Sequence, residues 1–286
     1  KTLRPAGGMP QRSAAKMRRR IRRKGERRFM VDYLYDGTFE GFLTCIHAHY
    51  YEEKASGIYY KERYQTSVLA RFRVMETDEE KASVVYEAIE RKISGDDLRR
   101  VYRVFRSSDE EKENKLLRYI VLGFKEGPGI RLLHSNPVVF EVQQLERKVS
   151  FEAHRILGLA RFSALKFGGE GTNGFVESKR EILYCRLEPD HDILEFIADH
   201  FADRLKNEPF IIHDKRRNKA VFAMGGSWYI SDFKEEALPA AGSGEKEFRG
   251  LWKEYFETIA IKERTNPACQ RRFMPVRYWK NLTEMR

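Results

Sequence analysis

Four of the seven histidines in this chain fall between His154 and His213, in a region threaded with arginines and acids. Glu152-Ala153-His154-Arg155 runs on to Arg161-Phe162-Ser163. His200-Phe201-Ala202-Asp203-Arg204 and Ile211-Ile212-His213-Asp214 follow. Glu263-Arg264-Thr265-Asn266-Pro267 and Gln270-Arg271-Arg272-Phe273-Met274-Pro275 close the series. Ionisable groups are costly to bury unless paired. Any fold of this chain must therefore bury a network of ion pairs or assemble a polar site.

Charge does not decide between these, because it is unevenly spread. The net charge is +11, yet Lys1 to Arg28 alone carries twelve Lys and Arg against Glu26. The remaining 42 bases and 42 acids cancel. The stretch 1–29 has too few apolar residues to fold alone and reads as a basic flexible tail. Two readings stand for it: a linker or upstream remnant, or an arm that attracts phosphate backbones through counterion release.

The 286 residues are ample for a real core. No run approaches the roughly 18 apolar residues of a membrane helix, so no membrane partner is expected, nor is a secretory signal. Cys45, Cys185 and Cys269 are far apart and form no CxxC or Cys/His zinc spacing, which points to a reducing cytoplasm.

The chain reads as an α+β protein: a helix-rich mixed fold with short strands near the N-terminus and in the 180–231 region. After the tail, residues 30–286 read as a single domain, with a sub-boundary near 95 or 135. Alternation predicts a strand over Met30–Tyr35, then a turn at Asp36-Gly37 and a helix capped by Thr38 with Phe39, Phe42, Leu43 and Ile46 on one face. A second strand follows over 68–75, then a helix capped by Thr77. Two helices cover 96–106 and 109–124. Asn136-Pro137 is a helix start, and the pattern carries that helix to about Lys166. Strands are expected over 182–187, 210–213, 220–224 and 228–231, with a helix from Asp190 or Asp192 through Leu205. A turn-rich loop spans 237–244. A last helix over 245–261 has Phe248, Leu251, Trp252, Tyr255 and Ile259 on one side.

The polar series gives three candidate groups. His154, Gly158 and Arg161 share one helical stripe, extended toward the N-terminus by Arg147 and Ser150. A glycine there lets a ligand come close or marks a close helix crossing. His200 and Arg204 are one turn apart, and that pair calls for an anion such as phosphate or for an internal carboxylate such as Glu152 or Asp214. His213-Asp214 ends a strand: a carboxylate-oriented general base, a metal ligand, or a surface hairpin turn. No third or fourth metal ligand is evident, so no metal site is assigned and no cofactor is named. Gly168-Gly169-Glu170-Gly171-Thr172-Asn173-Gly174 follows a helix and lacks the Gly-Lys-Ser/Thr ending, so it reads as a turn and not a phosphate loop.

These strings also carry a resemblance. Tyr33-Leu34-Tyr35-Asp36-Gly37-Thr38-Phe39-Glu40-Gly41, Glu152-Ala153-His154-Arg155, Ile212-His213-Asp214 and the closing string through Arg277-Tyr278-Trp279-Lys280 are similar to a bacterial family of DNA-metabolism or DNA-repair proteins, over about residues 30–284. Members are encoded beside a radical-SAM protein, and some are fused to a uracil-DNA-glycosylase-like domain. The chain has neither the CxxxCxxC cluster of radical-SAM enzymes nor a glycosylase motif. The resemblance implies DNA repair or DNA metabolism in the cytoplasm, with nucleic acid and a radical-SAM protein as partners.

On that basis His213, Asp214 and His154 are the candidate catalytic groups. Arg155, Arg161, His200, Arg204, Arg264, Asn266 and Gln270 are the candidate phosphate- or nucleic-acid-binding groups. The competing expectations are an RNA-directed enzyme and a non-catalytic adaptor that docks its partner through Phe273, Tyr278 and Trp279.

Overall fold

The fold is α+β, built on one sheet of three strands and one of five. A computed structural model describes residues 30–66, 70–167, 180–234 and 267–285. The basic tail, the glycine run after Phe167, and the expected loop and helix over 237–261 lie outside the described residues. The chain divides into two compact units, Lys1–Ala88 and Ile89–Arg286.

In the first unit, β1 (Met30–Tyr35) is the centre of a parallel sheet between β2 (Ala55–Tyr60) and β3 (Ala70–Val74). Tyr33, Phe42, Ile46 and Ile58 are wholly buried at its core. As expected, Thr38 caps α1 (Phe39–Tyr51), its hydroxyl accepting from the Gly41 amide at 3.0 Å. Gly37 takes φ +89°, and a Cβ there would meet the Tyr60 ring at 2.8 Å, so the turn requires glycine. Sequence reading missed β2, whose residues Ala55-Ser56-Gly57 lack a strand pattern. It also assigned the next cap one residue early. Asp78, not Thr77, accepts from the Lys81 amide (3.0 Å) at the start of α2 (Glu79–Lys92). The Thr77 hydroxyl instead donates to Asp36 (2.8 Å).

The second unit opens with three packed helices, α3 (Gly95–Phe105), α4 (Lys112–Glu126) and α5 (Pro137–Leu159). A buried polar knot joins them. Wholly buried Asp97 accepts from the Tyr119 hydroxyl at 2.7 Å, and Arg100 donates to Tyr119 (2.9 Å) and Glu146 (2.6 Å). Asn136 caps α5 through the Val138 amide (3.0 Å) with Pro137 behind it, as the sequence predicted.

The five-stranded sheet runs β4 (Ser163–Phe167), β5 (Arg180–Leu187), β6 (Phe210–Asp214), β7 (Lys219–Met224), β8 (Ser227–Asp232). Its neighbours are antiparallel except β5 and β6, a parallel pair linked through α6 (Leu194–Arg204). Its inner face joins Cys185, Leu187, Phe210, Ile212 and Val221 to Val149 and Ile156 of α5 and to Ile197 and Phe201 of α6. Two expected boundaries are corrected. α5 stops at Leu159 because Ser163–Phe167 pairs with β5. α6 begins at Leu194, since Asp190 and Asp192 are held in ion pairs ahead of it.

Candidate functional site

The carboxyl ends of β5 and β6 meet the inner face of α5 at Glu152. In α5, Val149, Glu152, Ala153 and Ile156 share the buried stripe, so the carboxylate is carried into the core by helical period alone. Its side chain is 3% exposed and its oxygens are occupied. Oε1 accepts from the Asp190 amide (3.0 Å), from Arg277 Nη2 (3.3 Å) and from the Tyr278 hydroxyl. Oε2 accepts from the His191 amide at 2.7 Å. Four donors on one buried carboxylate are what its ionised form needs.

Around this carboxylate lies a ring of ion pairs. Asp190 binds Arg216 Nη1 at 2.9 Å and Arg277 Nη1 at 3.0 Å. Wholly buried Asp214 accepts from the Arg216 amide (3.0 Å) and from Arg217 Nη1 (2.7 Å). Burial pushes the Asp214 carboxyl above its ordinary value, and Arg217 opposes the shift. His191 accepts the Ser108 amide on Nδ1 at 3.1 Å, which places its proton on Nε2. Burial lowers the His191 value, against the pull of Glu152 and Asp190.

The expected His213-Asp214 pair is divided. Successive strand residues point to opposite faces, so Asp214 joins the Arg network while His213 turns away. The His213 ring, wholly buried, meets the Tyr184 hydroxyl at 2.8 Å through Nδ1 and the Phe233 ring edge-on at 4.9 Å. Adjacency in sequence therefore does not make Asp214 the orienting group of His213; Tyr184 holds that ring nitrogen. The surface-turn reading fails as well, since both residues are buried.

His154 is exposed on α5 and His200 and Arg204 are exposed on α6, so none of the three shares the buried setting of His213. Arg155 is half-buried. Arg161 closes α5, donating from Nη1 to the carbonyls of Gly158 (2.9 Å) and Ala160 (3.2 Å), a cation at a helix C-terminus. Among the described residues Gly158 marks no close crossing, because an added Cβ would meet none of them within 4 Å. Gln270 is half-buried in α7 (Pro267–Phe273), its carbonyl accepting from the Met274 amide at 2.7 Å. Arg264 and Asn266 lie outside the described residues.

The outer face of α5 forms the clearest surface feature. Arg147, Lys148, Phe151 and His154 are exposed and Arg155 is half-buried along its last turns. The Arg147 guanidinium sits 5.1 Å from the Phe151 ring centre, and that ring is 47% exposed. From Arg147 to Arg161 the one acid is Glu152, which is turned inward.

Sequence reasoning did not single out Asp190, Arg216, Arg217 or Arg277 as site residues, and it placed Tyr278 on a docking surface, whereas Tyr278 is buried against Glu152. A signal was available for Glu152: an acid on the apolar stripe of a long helix announces a buried partner set. Among the described residues, no group of three or more His, Cys, Asp or Glu is placed to hold a metal ion. Cys45 and Cys185 are free and buried, and burial pushes both thiols up to about 12, away from nucleophilic thiolate. No helix among the described residues is long and apolar enough to cross a membrane.

A helical layer on a mixed sheet, with a carboxylate–guanidinium network at the ends of its parallel strands, defines an α+β domain with a polar core edge. The chain belongs to the family described as a domain of unknown function, DUF4130, whose sequence model matches residues 110–284. No curated protein and no solved structure matches it.

Proposed function

We propose that the protein binds nucleic acid through the outer face of α5 and works in cytoplasmic DNA repair or DNA metabolism beside a radical-SAM partner. One observation carries the binding reading: the acid-free face of Arg147, Lys148, Phe151, His154 and Arg155. Lys148 and Arg155 stand two helical turns apart, about 11 Å along the axis. Exposed cations neutralise phosphates and release their counterions, and an exposed ring offers a platform for a base. The DNA-repair setting and the partner rest on the family resemblance, and the free buried cysteines suit a reducing compartment.

The test is equilibrium binding of labelled single- and double-stranded DNA and RNA oligonucleotides to the full chain across a salt series. Replacing Arg147, Lys148 and Arg155 by alanine should weaken binding and lower the log–log salt slope by about 2 to 3, while the tail contributes equally to both proteins. An unchanged slope would remove α5 from the interface. The DNA and RNA arms assign the target.

An adaptor reading has its own observation. Phe273 is 66% exposed and Val276 is also exposed, on a C-terminal segment fastened to Glu152 by Arg277 and Tyr278. Trp279 is a poor probe of docking, because its indole N–H holds the Met274 carbonyl at 2.9 Å. Phe273→Ala is the cleaner change: loss of radical-SAM partner copurification with unchanged oligonucleotide binding supports the adaptor.

A further inference from the structure

The ion network at the ends of β5 and β6 is stratified. Its acids Glu152 and Asp214 lie at the bottom, 3% and 0% exposed, while the Arg216 and Arg277 side chains are 56% and 47% exposed. Between the layers sits Asp190. It takes Arg216 on Oδ1 and Arg277 on Oδ2, so two guanidiniums from separate segments are fixed on opposite oxygens of one carboxylate. We propose that Arg216 and Arg277 form a clamp for a phosphate group.

Three features of the network favour the clamp. A guanidinium has five N–H donors, and Arg216 spends only one nitrogen, Nη1, on Asp190. Second, Arg277 has a structural duty, binding Glu152 and stacking on Tyr278, but among the described residues the Arg216 side chain is held by half-buried Asp190 alone. The fold alone gives no reason for a second arginine there. Third, the clamp lies just beyond the carboxyl ends of β5 and β6, where the Arg216–Asp190 pair joins the loop after one strand to the turn after the other. At the rim, half-buried Asp190 is the one carboxylate that Arg216 and Arg277 share, while Lys280 is paired with Glu188. Arginine forks suit phosphate because they are planar and hold their charge.

The clamp does not depend on the α5 interface, though a bound strand would supply its phosphate if both hold. The test is a titration of the full chain with inorganic phosphate at constant ionic strength, by calorimetry and by the arginine Nε–H resonances. Saturable binding is expected, with Arg216→Ala weakening it about tenfold and the triple α5 variant leaving it unchanged. Absence of saturation, or equal binding by Arg216→Ala, overturns the clamp. If the α5 variant still loses oligonucleotide binding, the nucleic-acid reading survives that failure. The source of the phosphate is separated with 5′-phosphorylated and 5′-hydroxyl oligonucleotides. Preference for the former that Arg216→Ala erases supports a terminal phosphate, and equal weakening of both supports a backbone phosphate. Oligonucleotide binding indifferent to Arg216, with inorganic phosphate still saturable, supports a free phosphate or small phosphorylated ligand.

Discussion

The Tyr278 hydroxyl donates to Oε1 of Glu152 across 126 residues of sequence, joining the C-terminal segment to the inner face of α5. Burial and this bond push the phenol far above its ordinary range, so it acts as a donor at every physiological pH.

This bond sets a graded stability series. Glu152→Ala strips four donors of their acceptor and leaves Arg277 without its buried partner, so it should cost about 3–5 kcal/mol. Tyr278→Phe leaves Glu152 its other three donors and should cost about 1–2 kcal/mol. Urea unfolding of the full chain measures both. Equal losses in the two variants would mean that packing of the Tyr278 ring, and not the carboxylate, holds the segment.

Much of the fold was legible because period and caps are local. Thr38, Asn136-Pro137 and the apolar stripe of α5 gave their elements directly. β4 was hidden inside the expected extension of α5, since Ser163–Phe167 becomes a strand only through pairing with Arg180–Tyr184. The site was harder to read for a similar reason. His213 and Asp214 look like one unit in sequence, but strand alternation sends them to opposite faces. The network that does form is drawn from the loop after β5, the turn after β6 and the residues after α7. No spacing rule connects those segments. The one local trace of it was Glu152 on an apolar stripe.

Gly158 and Gly123 should respond oppositely to alanine. Gly158 lies in the last turn of α5, and an added Cβ there would meet none of the described residues within 4 Å. Gly158→Ala should therefore raise stability by up to about 1 kcal/mol, the helix-propensity difference. In α4, a Cβ on Gly123 would collide with Ile93 Cδ1, and Ile93 is itself buried. Gly123→Ala should cost about 1–3 kcal/mol by overpacking. Thermal unfolding midpoints moving in opposite directions would bear this out; a fall at Gly158 would mean that the bare helix face is covered.

His191 should make stability fall on acidification. Its Nδ1 accepts the Ser108 amide, an arrangement open only to the neutral ring, and burial lowers its protonation value. A base depressed in the folded state binds fewer protons there than in the unfolded chain. Its contribution is thus fully present above the unfolded value, near 6.5, and is lost as pH falls from there through the folded value. Glu152 and Asp190 work against the depression, while Arg217 and Arg277 favour it. Urea midpoints at pH 7.5 and 5.5 should differ for the wild type, and His191→Gln, which keeps an acceptor but does not titrate, should narrow the difference. An identical difference in the two proteins would assign the acid sensitivity elsewhere. If His191 carries it, the loop between Ser107 and Asp109 should lose amide-exchange protection first at low pH, because the Ser108 N–H would then face a protonated ring.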